Sequence, residues 1–225
     1  MQRSPSSESA DAGGILAIVR VDFDPGTVSS KELYAVLNAV VVPRPIAWVS
    51  TLAADGALNL APHSFFTVAC VRPPMVQFTS VGRKDSLTNV EATREFVVNF
   101  AAEPLFEQVN ATGTNFPPEV DEFAAVGLTI EPSRTVAVPR VAESPVAIEC
   151  GLHTTLELGD STVVIGRVRH IAIDESVLHG NHPEITRLRP LARLGKDEWS
   201  TLGEVRSITR IRYADWPGHF ESPGT

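Results

Sequence analysis

Residues 44–66 read RPIAWVSTLAADGALNLAPHSFF, and the alternation of apolar and polar positions there predicts a tight β-hairpin. Ile46, Ala47, Trp48, Val49, Ser50, Thr51 and Leu52 suit a strand, being rich in β-branched and aromatic residues with no breaker. Asp55-Gly56 is a hairpin turn signal, because glycine takes positive φ without steric cost. Residues 58–60 return as the second strand. Ala61-Pro62-His63-Ser64 should then break the ladder before Phe65 and Phe66, leaving backbone N–H groups unpaired. Such groups suit an anionic or heteroaromatic ligand. The plainer reading is an ordinary hairpin in a barrel core.

The rest of the chain follows the same two periodicities. Residues 15–23 alternate loosely as an edge strand. Ser29 or Ser30 can cap a helix carrying Leu33, Val36, Leu37 and Val40 as an i, i+3, i+4, i+7 stripe. That helix is expected to pack on the barrel and deliver Arg44 to the site edge. Residues 67–71 suggest a buried strand, and 75–81 a half-buried one. Gly82-Arg83-Lys84-Asp85-Ser86 places two cations just before a helix capped by Asp85 or Ser86 and reaching about Arg94. Free N–H groups plus cations make a phosphate cradle, although Gly-Arg-Lys turns are also common on surfaces. Residues 95–101 form a core strand, 104–112 a short helix and 121–126 a helical turn closed by Gly127. Residues 144–158 and 162–173 form a long hairpin about Gly159-Asp160, and 207–213 a last strand. Seven or more strands with interposed helices imply antiparallel β structure, most simply a barrel with helical additions.

Composition narrows the function. The 225 residues suit one domain. Hydrophobic residues, at 43%, suffice for a sizeable core. Lys+Arg number 19 against 27 Asp+Glu, a net charge of −8. That balance argues against nucleic acid and against an anionic membrane surface, while leaving room for a local basic pocket. No apolar run approaches the ~18 residues of a membrane span. Residues 1–14 lack the apolar core of a signal peptide and are expected to be disordered. Cys70 and Cys150 sit among apolar residues as buried free thiols, which suits a cytoplasmic location.

Self-contained catalytic chemistry is missing. His179, His182 and Glu184 are near in sequence, but Pro183 breaks any helix that would align them, so they read as surface histidines. His63, His153 and His170 lie in separate segments. Ser64 neighbours His63 without a nucleophile-elbow motif. Neither a dinucleotide-binding glycine fingerprint nor a P-loop is present. An enzyme built on this chain would borrow its reactivity from a bound cofactor.

In order, the segments RPIAWVSTL, NLAPHSFF, PPMVQFTS with RKDSLTN, EFVVN, FPPEVDEF, VAESPVAIECGL, TVVIGRV and PLARLG resemble the flavin reductase-like, FMN-binding split-barrel proteins. That family includes nitrilotriacetate monooxygenase component B and the flavoredoxins. The resemblance spans residues 15–213, between tails of residues 1–14 and 214–225. It implies a mainly β fold, an antiparallel split β-barrel of Greek-key type with peripheral helices, forming a homodimer with noncovalent FMN near the subunit interface. By the same resemblance, Ser50, Thr51 and Leu52 would contact the ribityl chain or ring edge. Ala61, Pro62, His63 and Ser64 would offer backbone and side-chain donors. Arg83, Lys84, Asp85 and Ser86 would lie near the phosphate, Arg44 would support the pocket, and Arg193 would reach the partner subunit's site. The implied activity is flavin reduction by NADH or NADPH, with hydride passing to the flavin and no obligatory protein acid or base. Reduced flavin would go to a monooxygenase partner. A flavoredoxin-like electron carrier, a reductase of a small organic substrate and a barrel that has lost its cofactor are the alternatives. Where the family often carries Tyr or Phe this chain has His63. Trp199 stands where Tyr is common, and Ser161 where short-type reductases often have His.

Overall fold

The computed structural model describes residues 18–117 and 120–216. The tail at 1–14 and the chain after 216 lie outside the described residues. The elements in order are α1 (Ser30–Val40), β1 (Arg44–Pro45), β2 (Ala47–Leu52), β3 (Leu58–His63), β4 (Phe66–Cys70) and β5 (Met75–Val81). Then come α2 (Asp85–Thr93), β6 (Glu95–Phe100), α3 (Phe106–Ala111), α4 (Glu122–Ala125), β7 (Ile130–Glu131) and β8 (Arg140–Val141). The last are β9 (Val146–Leu158), β10 (Ser161–Ile173), β11 (Leu178–His179), β12 (His182–Pro183), α5 (Ile185–Leu188), β13 (Ala192–Arg193) and β14 (Trp199–Ser200).

The protein is mainly β, with a split barrel built on a seven-stranded sheet of order β3-β2-β6-β9-β10-β5-β4. Its ladders are antiparallel. The two edges, β3 and β4, are consecutive in the chain and are joined by Ser64 and Phe65 alone. A sheet whose first and last strands are tied by two residues must curl back on itself. The seam of the split barrel therefore runs along Ser64 and Phe65, and the Phe65 carbonyl accepts from the Thr79 N–H at 2.9 Å, extending the β4–β5 ladder to the seam's edge.

Strand β2 is buried on both faces, which explains its nearly continuous apolar run. Ala47 and Val49 pack inside with Val76, Phe78, Phe96, Val98 and Val164, under Leu87 and Val90 of α2. Trp48 joins the second core with Ile46, Leu60, Val109, Phe123 and Leu191. At Gly166 of β10 an added Cβ would meet the Phe96 ring at 2.2 Å, so only glycine lets that ring close the interior. The β2–β3 turn forms as expected, with Gly56 at φ 91°.

Several expectations need correction. Residues 18–23 form no strand, and Ile18, Val19 and Val21 are exposed. Residues 201–212 form none either, and Ile208 is solvent-exposed. Apolar alternation there is not enough to form a strand, and neither segment pairs with the sheet. Strand β4 is not buried, because it is an edge, and Val68 is 67% exposed. Cys70 on it is half-buried, whereas Cys150 is fully buried and both are free thiols. Burial pushes the Cys150 thiol up to about 12, so it is inert. Helix α1 is capped by Ser29, whose hydroxyl accepts from the Glu32 N–H, yet none of its apolar stripe is fully buried, and only Leu33 and Val36 reach half-burial. Leu37 and Val40 face outward instead of packing on the barrel.

Candidate functional site

A cavity of about 370 Å³ opens at the seam, within the usual range for cofactor sites of about 300–1,000 Å³. Ala61, Pro62, His63 and Ser64 supply one wall, and Arg83, Lys84, Asp85 and Ser86 another. Asn59, Thr79, Glu122 and the loop 112–116 complete it, with Tyr34 of α1 at the margin.

The β3 wall differs from expectation. The ladder does not break at Ala61, since Pro62 pairs with Trp48 and His63 with Ala47. Proline is tolerated because β3 is a sheet edge, where the absent N–H removes no ladder bond. The break falls instead at Ser64 and Phe65. Continued pairing keeps Asn59, Ala61 and His63 on one face, by the period of two, and that face is the cavity wall.

At the other end, neither Asp85 nor Ser86 caps α2. Lys84 is the N-cap residue and no side chain satisfies the first N–H groups. An uncapped helix start beside the Lys84 ammonium is an anion site in its chemistry. Lys84 Nζ lies 3.5 Å from Asn115 Oδ1. Arg83 is instead engaged with Glu91 at 2.6 Å. Ser86 is buried, and its Oγ accepts from Asn59 Nδ2 at 3.1 Å. Glu122 also faces the cavity, its Oε2 accepting from the Leu60 N–H at 3.2 Å. Burial raises the Glu122 carboxyl above its ordinary range, aided by Asp85 and Asp121.

Ser50, Thr51, Leu52 and Arg44 do not line this cavity. Ser50 is buried, its hydroxyl donating to the Pro139 carbonyl at 2.7 Å. Thr51 is buried too, and its Oγ1 accepts from Asn59 at 3.0 Å and Asn89 at 3.1 Å, so it braces the wall from behind. Leu52 packs on Val97, Val138 and Ala147. The Arg44 guanidinium is buried and donates to the carbonyls of Asn38, Val41 and Leu194. Its Nε reaches Ser64 Oγ at 3.4 Å, tying the end of α1 to the seam. Burial, then the nearby Arg193 charge, lowers its pKa.

Arg193 lines a second cavity of about 360 Å³, with Ile46, Asn110 and Trp199. Pro62, Ser64, Gly113 and Thr114 border both cavities, so the two are neighbours across one wall. The Arg193 guanidinium lies 4.8 Å over the Trp199 ring, and Phe106 meets that ring edge-on at 5.2 Å.

Sequence reasoning missed Asn59, Thr79, Glu122 and residues 112–116. Asn59 was available from strand alternation with His63. The loop was not, because it is held by a distant contact. Elsewhere, His179 and His182 face each other, exposed, across the β11–β12 pair. Among the described residues no group of three or more His, Cys, Asp or Glu is arranged to hold a metal ion. No helix among them is long and apolar enough to cross a membrane.

Residues 39–188 match the family model for the flavin reductase like domain. An uncharacterized protein of Aquifex aeolicus is 42% identical over 181 residues, covering 78% of this chain and 92% of its own. Nitrilotriacetate monooxygenase component B from Bacillus cereus superposes with a TM-score of 0.82 at 29% identity, over 85% of this chain and 100% of that one. The 2-nitrobenzoate 2-nitroreductase of Pseudomonas fluorescens superposes with a TM-score of 0.80 at 26% identity, over 86% and 98%. A barrel split at Ser64 and Phe65, an uncapped helix start at the split and a family match across the entire sheet lead to one assignment: this chain belongs to the flavin reductase-like family.

Proposed function

We propose that this protein is a homodimeric, cytoplasmic FMN-dependent oxidoreductase that uses NADH or NADPH and supplies reduced flavin to a monooxygenase partner. The observation carrying the proposal is the seam cavity, where an uncapped α2, the Lys84 ammonium and a polar β3 face converge. These residues fit FMN. Lys84 and the first N–H groups of α2 would hold the phosphate, with Ser86 and Asn59 beside them. Ala61, Pro62, His63 and Ser64 would border the remainder. FMN held by these residues would supply the redox chemistry, hydride acceptance from a reduced nicotinamide and electron transfer to an acceptor.

The chain's own part is to bind, orient and shield. Thr51 fixes Asn59, and Arg44 fixes Ser64, so both walls are set before a ligand enters. Exposed Leu37 and Val40 on α1, with Tyr34 of the same helix at the cavity margin, support a second copy covering that edge.

A second reading, direct reduction of a small organic acceptor, is favoured by the adjoining cavity with Arg193 and Trp199. A cation over an aromatic ring, with no carboxylate in the lining, suits a planar anion. The similarity to a nitrobenzoate reductase points the same way.

The test is the visible spectrum of the purified protein, followed by NADH and NADPH oxidation with added FMN, with and without 2-nitrobenzoate. Flavin absorbance with turnover of free FMN supports the reductase. Turnover only with the nitro compound supports the second reading. A protein that takes up no FMN refutes both.

A further inference from the structure

His63 is buried in the wall of the seam cavity, with 8% of its surface exposed. Its Nε2 is one of two buried side-chain polar atoms lacking a hydrogen-bond partner among the described residues. The other, Ser133 Oγ, lines neither cavity. Buried polar atoms are nearly always paired, so an orphan in a cavity wall points to a partner that arrives with a ligand.

The chemistry of that partner follows from the other side of the ring. The imidazole packs on Phe78, with centroids 4.6 Å apart, which fixes its plane. The Thr79 backbone also faces the ring and favours its protonated form, as a carbonyl does, and because Nε2 is unpartnered that contact falls to Nδ1. The Thr79 N–H is already given to the Phe65 carbonyl, so the ring meets the Thr79 carbonyl, and Nδ1–H is the donor. Burial lowers His63 to about 4, with the Lys84 charge contributing, so the ring is neutral near pH 7. A neutral ring with its proton on Nδ1 presents a bare lone pair at Nε2.

We propose that His63 Nε2 is a fixed acceptor that selects a hydrogen-bond donor on the bound flavin, a ribityl hydroxyl or the ring N3–H. This rests on reading the cavity as a flavin site. It reverses the expectation that the His63 side chain donates. It also dictates orientation, because phosphate oxygens, ring carbonyls and the unprotonated ring nitrogens of oxidised flavin are acceptors that a lone pair repels. The phosphate is thereby steered to Lys84 and α2, and a donor-bearing part of the flavin to His63.

The experiment is a long-range proton–nitrogen NMR spectrum of the histidine rings in the full-length, nitrogen-15-labelled protein, titrated with FMN near pH 7. The expected result is a free protein with His63 protonated at Nδ1, whose Nε2 resonance alone moves upfield on saturation. In parallel, H63F, which keeps a ring against Phe78, should weaken FMN binding about tenfold by loss of one hydrogen bond. Riboflavin and lumiflavin separate the two donors. A shift kept with riboflavin and lost with lumiflavin names a ribityl hydroxyl, and a shift kept with both names N3–H. Two results overturn the proposal while leaving the flavin site intact: FMN binds with Nε2 unmoved, or Nε2 carries the proton in the free protein. Absence of FMN binding overturns both readings.

Discussion

The indole Nε1–H of Trp48 donates to Thr112 Oγ1 at 2.8 Å, joining the strand at the centre of the second core to the loop that completes the cavity. Thr112 ends α3 and is itself buried, and residues 113–116 continue directly into the cavity lining. One core hydrogen bond therefore sets the position of a functional loop.

Replacing Thr112 with Val keeps the shape and removes the acceptor. The buried indole N–H is left unpaired, at a cost of about 1–3 kcal/mol. The thermal midpoint should fall by about 2–4 °C for each kcal/mol in a protein of this size. Calorimetry measures it, and an unchanged midpoint would deny the bond its role.

Lys84→Ala should weaken FMN binding by about 1–3 kcal/mol, as expected for loss of a charge-assisted phosphate contact. The same change should leave riboflavin affinity nearly untouched, because riboflavin has no phosphate. Fluorescence titration with both flavins decides the matter. Equal losses for the two would remove the phosphate from Lys84.

His63 links stability to pH. Its folded value, about 4, lies below the ordinary 6.5 because burial disfavours the cation. Between those values the unfolded chain binds the extra proton and the native protein does not. Stability is thus full above about pH 6.5 and falls as pH drops toward 4, by up to about 3 kcal/mol. Urea denaturation at several pH values should show this loss in the native protein. His63→Phe should lack that component, and parallel curves for the two would refute it.

Leu37→Asp together with Val40→Asp puts charge on the exposed face of α1. If a second copy covers that face, the double variant should shift from dimer to monomer in light scattering at micromolar concentration. Its melting should stay close to that of a native monomer, since neither side chain supports the fold of its own chain. A variant that remains dimeric would place the interface elsewhere.

Local signals made much of this architecture legible. The Asp55-Gly56 turn, the alternation of β5 and the long β9–β10 hairpin are specified by residues near in sequence, and each forms where expected. The start of α2 was read within one residue, although its cap was not, because Lys84 leaves the helix end to the cavity. Errors came where tertiary neighbours decide. Residues 18–23 and 207–213 alternate well enough for strands but pair with no strand of the sheet. Ser50 and Thr51, which the resemblance sets at the ribityl chain or ring edge, stand outside the lining of the seam cavity. Internal bonds to Pro139, Asn59, Asn89 and Asn99 account for both hydroxyls. Glu149 shows the same limit. Burial would raise its carboxyl, but three hydrogen bonds from Arg134 and Thr135 hold it below the usual range. That cradle comes from a segment 14 and 15 residues away, with no sequence pattern to announce it.

The seam at Ser64 and Phe65 sets this protein's capacity to evolve. A sheet that zipped β3 directly to β4 would gain a ladder of hydrogen bonds and lose the cavity between them. Substitutions that tighten that closure would be selected for heat resistance and against binding, so stability and chemistry compete at the same few residues. Exposed positions lining the gap, such as Arg83 and Asn115, can meanwhile be exchanged without touching either core. A lineage built on this barrel can change what it binds while keeping how it folds.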